Sequence, residues 1–370
     1  MISEKCFTNE WLESFKKQKG HRLIQTNILE KMIYALHLLE QLQNHGLEFV
    51  FKGGTSLVLL LEEGSRFSID IDIICNTEQK ELELVLNKIV DSSNFTSVIL
   101  DEKRSYKPGV PKAHYAFGFE SVFNTNVSGK ILLDVLVENP IYPELVDRAI
   151  QTKWVEINGT VVVKTPSIDA ITGDKLTAFA PNTIGIPYHK GEESFSMEIC
   201  KQLFDLSRLF ERISNMEIVA KSFEAHAAKE FIYRKNENNK IELTPEMVLQ
   251  DTIGTCLIIT KRETNKEEPA KSRFKLLQDG IRAFGTGYLM SGNFRIEDAV
   301  IASARVGYLA TKLLVGDLSP IAYYKGEDIQ PLIIEDQKWV FLNKLKKQPD
   351  KSSYYYWYQT VQLLETKKRD

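Results

Sequence analysis

Asp70 and Asp72 stand two positions apart in Ser68-Ile69-Asp70-Ile71-Asp72-Ile73, where polar and apolar residues alternate. In a strand this spacing puts the three isoleucines on one face and both carboxylates on the other. Adjacent carboxylates repel unless a cation lies between them. Mg2+ suits the pair, because it is commonly held by one or two carboxylates together with substrate phosphates. Upstream, Lys52-Gly53-Gly54-Thr55-Ser56 sets two glycines between two apolar runs. A strand, a two-glycine turn and a helix start aim backbone N–H groups and the positive helix end at an anion, so the segment reads as a phosphate cradle. It contains no GxxxxGK[ST] loop. A two-metal arrangement needs a third acid, and the candidate is Asp134, the lone carboxylate of Ile131-Leu132-Leu133-Asp134-Val135-Leu136-Val137. Pairing of Asp134 with a neighbouring base is the other reading.

The elements that must position these groups follow from periodicity. Leu29, Met32, Ile33, Leu36, Leu39 and Leu42 recur at helical spacing, and Asn44-His45-Gly46 ends that helix. Leu47 to Phe51 reads as a strand, and Thr55 is expected to cap a helix through Leu57 to Glu63. Strands are expected at Ser68 to Cys75, Ser97 to Leu100, His114 to Phe123 and Lys130 to Val137, with a helix from Glu78 to Ile89. Trp154 to Val163 reads as a hairpin turning at Asn158-Gly159. Pro166-Ser167 opens a helix containing Asp174, Lys175 and Leu176. A Pro- and Gly-rich loop, 181–195, precedes a helix from Cys200 to Phe210. Beyond Met216 the spacing is helical at Ile218 to Phe231, Met247 to Ile259, Phe274 to Phe284 and Ile296 to Leu314, with 234–240 as an internal loop. The expected fold class is α+β: a mixed sheet with flanking helices over 1–213, followed by an all-α helical bundle over 214–370.

Composition narrows the function classes. The 370 residues are 43% hydrophobic and 26% charged, which excludes a mostly disordered or collagenous chain. The net charge of -3 does not advertise a nucleic-acid binder, although it divides unevenly, with 23 basic and 29 acidic residues through Ser214 and 24 and 21 after it. Cys6, Cys75, Cys200 and Cys256 form no CxxC pair, and the six histidines have no ligand spacing, so neither a disulfide framework nor a zinc site is expected. No apolar run approaches the length of a membrane span, and no signal peptide is apparent; a soluble, cytoplasmic protein is expected. Tyr354-Tyr355-Tyr356-Trp357-Tyr358 beside Lys344, Lys346, Lys347 and Lys351 would either stack on bases or pack a terminal helix, the commoner use of such a cluster.

Together the Gly-Gly-Thr turn, Arg66 to Asp72, Asp174-Lys175-Leu176 and the helix Lys201 to Leu206 resemble the AbiEii/AbiGii nucleotidyltransferase toxins of type IV abortive-infection systems, within the polymerase-beta-like nucleotidyltransferase superfamily. The resemblance covers about residues 45 to 210. It implies a nucleotidyltransferase-like sheet and pyrophosphate-releasing transfer from an NTP. Lys52, Gly53, Gly54, Thr55, Ser56, Arg66 and Ser68 would hold the triphosphate, and Lys175 would contact nucleotide phosphates. Asp70, Asp72 and Asp134 would bind Mg2+, or Mn2+ in its place, and Asp205 would complete the last motif. Where family members often carry Arg-Asp before that final aromatic-Asp pair, this chain has Lys201-Gln202. The implied acceptor is RNA, tRNA in particular, and the implied partner is a separately encoded antitoxin. Two alternatives stay open: an enzyme that nucleotidylates protein, and a non-catalytic nucleotide- or partner-binding module.

Overall fold

The computed structural model describes residues 1–18, 25–61, 66–106, 110–124, 127–235, 242–289 and 292–367. They fall into two compact units, Met1–Ser167 with Tyr288–Gly292, and Ile168–Gly287 with Asn293–Asp370. The expected division at 213/214 thus falls between two helices of the second unit. Among the described residues, no helix is long and apolar enough to cross a membrane.

The first unit contains α1 (Asn9–Lys17), α2 (Thr26–Asn44), β1 (Val50–Lys52), α3 (Gly53–Leu60), β2 (Ile71–Ile74), α4 (Gln79–Ser92), β3 (Ser97–Leu100), β4 (Lys112–Glu120), β5 (Ser128–Leu136), β6 (Leu145–Ala149) and β7 (Val162–Pro166). The seven strands form one sheet in the order β3-β4-β5-β2-β1-β7-β6. It is mixed: β2 runs parallel to β5 and β1 parallel to β7, and the other neighbours are antiparallel.

Cross-strand register sorts the two faces. Phe51, Ile73, Val135 and Ala113 pair in sequence across β1, β2, β5 and β4, and all four are buried. They share a hydrophobic core with the stripe Leu29, Met32, Ile33, Leu36, Leu39 and Leu42 of α2. At about 1.5–3 kcal/mol for each fully buried large apolar side chain, this core dominates the fixing of the register, because a slip of one residue would turn every one of these side chains to the other face.

Two local expectations are corrected. Residues 154–161 form no hairpin with β7. The partner of β7 is β6, while Ile157 makes a bridge to Ile2, Ser3 N donates to Glu156 O at 2.8 Å and Asn158 N donates to Met1 O at 2.6 Å. The N-terminal residues therefore take the backbone groups that a local hairpin would have used. Thr55 does not cap α3 either, since the helix begins at Gly53, with Lys52 in the N-cap position. Residues 62 and 63 of the expected helix lie outside the described residues.

The second unit holds α5 (Ile168–Ala178), the short hairpin β8 (His189–Lys190) and β9 (Glu193–Ser194), α6 (Ser196–Phe210), α7 (Met216–Lys235), α8 (Pro245–Lys261), α9 (Ala270–Gly287), α10 (Ile296–Val315) and α11 (Ser352–Lys367). α10 packs against α6, α8 and α11. Its buried residues are largely small, including Ala299, Ala302, Ser303, Ala304, Gly307 and Ala310, which lets three helices approach one axis. α7 packs on α5 and α9 on α6, and this is why the unit begins at Ile168 and not after α6. The loop before β8 is pinned by Asp251, which accepts from Asn182 N at 2.7 Å and Thr183 Oγ1 at 3.0 Å; burial pushes the Asp251 carboxyl above its ordinary value. The expected internal loop at 234–240 overlaps the end of α7, and 236–240 lie outside the described residues.

The aromatic cluster near the C-terminus packs inward. Tyr354, Tyr355, Tyr356 and Trp357 are buried, and Trp357 Nε1 donates to Thr260 Oγ1 at 3.2 Å. Lys351 Nζ donates to Lys346 O at 2.8 Å and Gln348 O at 2.6 Å, closing the end of the 3-10 helix Val340–Lys347.

Candidate active site

On the sheet face opposite the α2 core, four polar residues stand in one cross-strand row. Lys52 of β1 pairs with Asp72 of β2, Asp72 with Asp134 of β5, and Asp134 with His114 of β4. Directly opposed residues project from the same face, so the row sets Asp72 and Asp134 side by side. Asp70 lies just before β2 and is exposed. Its carbonyl accepts from Thr55 Oγ1 at 2.5 Å, and Ser68 Oγ lies 2.7 Å from the same hydroxyl oxygen. Thr55 is fully buried and so braces α3 against the 68–70 segment. Ser56 is also buried and returns its hydroxyl to Gly53 O at 2.9 Å.

The glycine turn fits tightly against the carboxylates. Gly53 has a φ of +75°, and a Cβ there would come 2.2 Å from Asp72 Oδ2. A Cβ on Gly54 would come 2.3 Å from Arg66 Nη2. The start of α3 thus has the Asp72 carboxylate on one side and the Arg66 guanidinium on the other. The first-turn N–H groups of a helix lack intrahelical partners, and the helix end carries partial positive charge. A buried guanidinium beside that end concentrates positive charge where an anion is favoured. Arg66 is anchored by donating Nη1 to Phe67 O at 3.1 Å, and its backbone makes an antiparallel bridge to Leu289. Phe67 N donates to Tyr288 O at 2.7 Å.

The donor set is chemically suited to a divalent cation. Among the described residues no three His, Cys, Asp or Glu side chains converge into a ready-made cage. Paired carboxylates beside an anion cradle suit Mg2+, which keeps much of its coordination for water and substrate phosphates. Asp70, Asp72 and Asp134 are the chain's candidate ligands.

Lys175 and Asp205 belong to the second unit. Lys175 Nζ donates to Asp205 Oδ2 at 2.8 Å and to Gln202 Oε1 at 3.1 Å, and the two charged side chains are only 7% and 2% exposed. Lys201 Nζ lies 3.7 Å from Glu198. Lys175→Ala takes the ammonium from beside a buried carboxylate and is expected to cost about 3–5 kcal/mol of stability, read as a fall in the thermal midpoint. Unchanged melting would show that the pair contributes little to folding.

Two participants escaped the sequence reading. His114 Nδ1 donates to Asp134 Oδ1 at 2.6 Å, so Asp134 does pair with a neighbouring base, through a register that local spacing does not reveal. The alternation of buried Ala113, Tyr115, Phe117 and Phe119 was the available signal that His114 faces the other way. The Tyr288–Leu289 segment, which follows α9 in the chain, carried no local signal at all.

The model of the family described as nucleotidyl transferase AbiEii toxin, type IV toxin–antitoxin system, matches residues 37–283. No curated protein matches the chain. A crystal structure from H. pylori, described as a candidate nucleotidyltransferase, aligns with 78% of this chain and 94% of its own at 15% identity and a TM-score of 0.39. The family match spans most of the chain and includes the row, the glycine turn and the Lys175–Asp205 pair, and on that ground the chain belongs to the AbiEii nucleotidyl transferase toxin family.

Proposed function

We propose that this chain transfers a nucleotidyl group from an NTP to an acceptor hydroxyl on RNA, tRNA in particular, releasing pyrophosphate. The observation that carries the reading is the Asp72–Asp134 pair set in register beside the glycine turn, with Asp72 against Gly53. Asp70, Asp72 and Asp134 would hold Mg2+ or Mn2+. When bound, the cation lowers the pKa of the attacking hydroxyl and offsets charge on the attacking and leaving oxygens. Lys52, the backbone of Gly53 to Ser56 and Arg66 would orient the triphosphate, with Ser68 keeping α3 in place through Thr55. The bond broken joins the α-phosphorus to its bridging oxygen, and the bond formed joins that phosphorus to the acceptor oxygen. As a type IV toxin the chain would be neutralised by a separately encoded antitoxin.

The test is incubation of the full chain with each of four labelled NTPs and total lysate, with Mg2+ present or chelated, followed by nuclease or protease digestion. Label that requires Mg2+ and is released by nuclease is the expected result. Label released only by protease would move the acceptor to protein, and nucleotide binding without any transfer would overturn catalysis.

A further inference from the structure

His114 lies outside the groups assigned above, yet it makes a short side-chain bond in the polar row, 2.6 Å from Nδ1 to Asp134 Oδ1. We infer that His114 is a positioning residue that holds the Asp134 carboxylate in its metal-binding orientation, an inference that rests on the proposed function.

Strand geometry makes the contact specific. The backbone of His114 points away from β5: its N–H donates to Ser105 Oγ at 2.8 Å, and its carbonyl accepts from Asp101 N at 2.8 Å. In the β4–β5 ladder His114 and Asp134 are therefore a non-hydrogen-bonded pair, the kind in which opposed side chains lie closest. The two backbone anchors fix where the ring starts, and the ring is mostly buried at 14% exposure, so its nitrogen has little freedom to leave the carboxylate.

The consequence is a division of labour within one carboxylate. A bond to an ionised acceptor is short and strong, and it fixes rotation about the terminal torsion of Asp134. Oδ1 is committed to the ring, which leaves Oδ2 for a cation. Without that bond the two like-charged carboxylates would turn away from one another in the metal-free chain, and each binding event would first have to reorder them. Partners that orient a ligating side chain act through the ligand without touching the metal.

The test uses the full chain and two substitutions. His114→Phe keeps the ring volume and removes the donor, whereas His114→Asn places an amide Nδ2 close to where Nδ1 stood. Mn2+ affinity, measured by electron paramagnetic resonance without nucleotide, is expected to fall by about 10- to 100-fold in His114→Phe and to recover in His114→Asn. Transfer assays should show a fall in kcat with little change in the KM for NTP. In an Asp134→Ala background, His114→Phe should change neither quantity further, since its effect passes through the missing carboxylate. Unchanged Mn2+ affinity in a folded His114→Phe protein, an Asn variant as weak as the Phe variant, or an undiminished loss in the Asp134→Ala background would each overturn the inference. Should the Phe variant fail to fold, His114→Leu, which likewise lacks the donor, takes its place under the same criteria, with His114→Asn again as the rescue. A wild-type chain that neither binds Mn2+ nor transfers a nucleotide would instead overturn the parent reading.

Discussion

Asp72→Ala is expected to reduce nucleotidyl transfer by more than about 100-fold, the scale on which single preorganised electrostatic contacts act, while leaving the thermal midpoint close to that of the wild type. The two halves of this expectation share one cause. Asp72 stands between Lys52 and Asp134 in the cross-strand row and against Gly53. Its charge is useful to a cation, and holding it beside Asp134 costs the folded chain like-charge repulsion. Removing it relieves repulsion and creates no apolar cavity. Asp70→Ala should behave alike, because Asp70 is exposed and its link to Thr55 runs through its backbone carbonyl, which alanine retains. Rates measured on purified variants alongside melting curves decide the point: near-wild-type transfer in either variant, with normal melting, removes that residue from the metal site.

Gly53→Ala should approach the same loss of transfer by a different route. The added methyl would lie 2.2 Å from Asp72 Oδ2 and 2.7 Å from Cγ, so the carboxylate or the turn must move. The φ of +75° adds strain of about 1–2 kcal/mol for a residue with a Cβ. For a unit of this size, that corresponds to a fall of about 2–4 °C in the midpoint for each kcal/mol. Gly54→Ala is the informative comparison. Its methyl would meet the end of the Arg66 side chain, which can swing aside, so NTP affinity should suffer more than the carboxylate geometry. A Gly53→Ala protein with full transfer activity would show that the turn does not constrain Asp72.

The elements were legible in the sequence where burial is one-sided. The stripe of α2 and the alternation of β2 and β4 both announce a single apolar face, so element type and the inward residues follow directly. The closeness of Asp72 to the Gly-Gly turn was legible because they lie near one another in the chain, whereas Asp70, expected on the same strand, lies just before β2. His114 and Asp134 were not legible as a pair, since which residue stands opposite which is fixed by the packing of the whole sheet. The hairpin at 154–163 was misread for a related reason: Asn158-Gly159 is a strong local turn signal, but the N-terminal residues outcompete the local partner. Gln202 is a subtler case. It stands where family members often carry Asp, and here its amide oxygen accepts from Lys175, so the site holds one negative charge fewer at that position.

The pairing of Arg66 and Phe67 with Leu289 and Tyr288 bears on the order in which the molecule can be assembled. A chain emerging from the ribosome folds its early part first, but this contact joins segments separated by most of the polypeptide, and closing so long a loop must wait for the later one. Until Tyr288 has been made, the arginine beside the glycine turn lacks the backbone neighbour that completes its setting, so a fragment ending near Arg212 is expected to bind nucleotide poorly even though it carries the whole sheet. Any nucleotide chemistry would then arrive only after the 288–289 segment has been made.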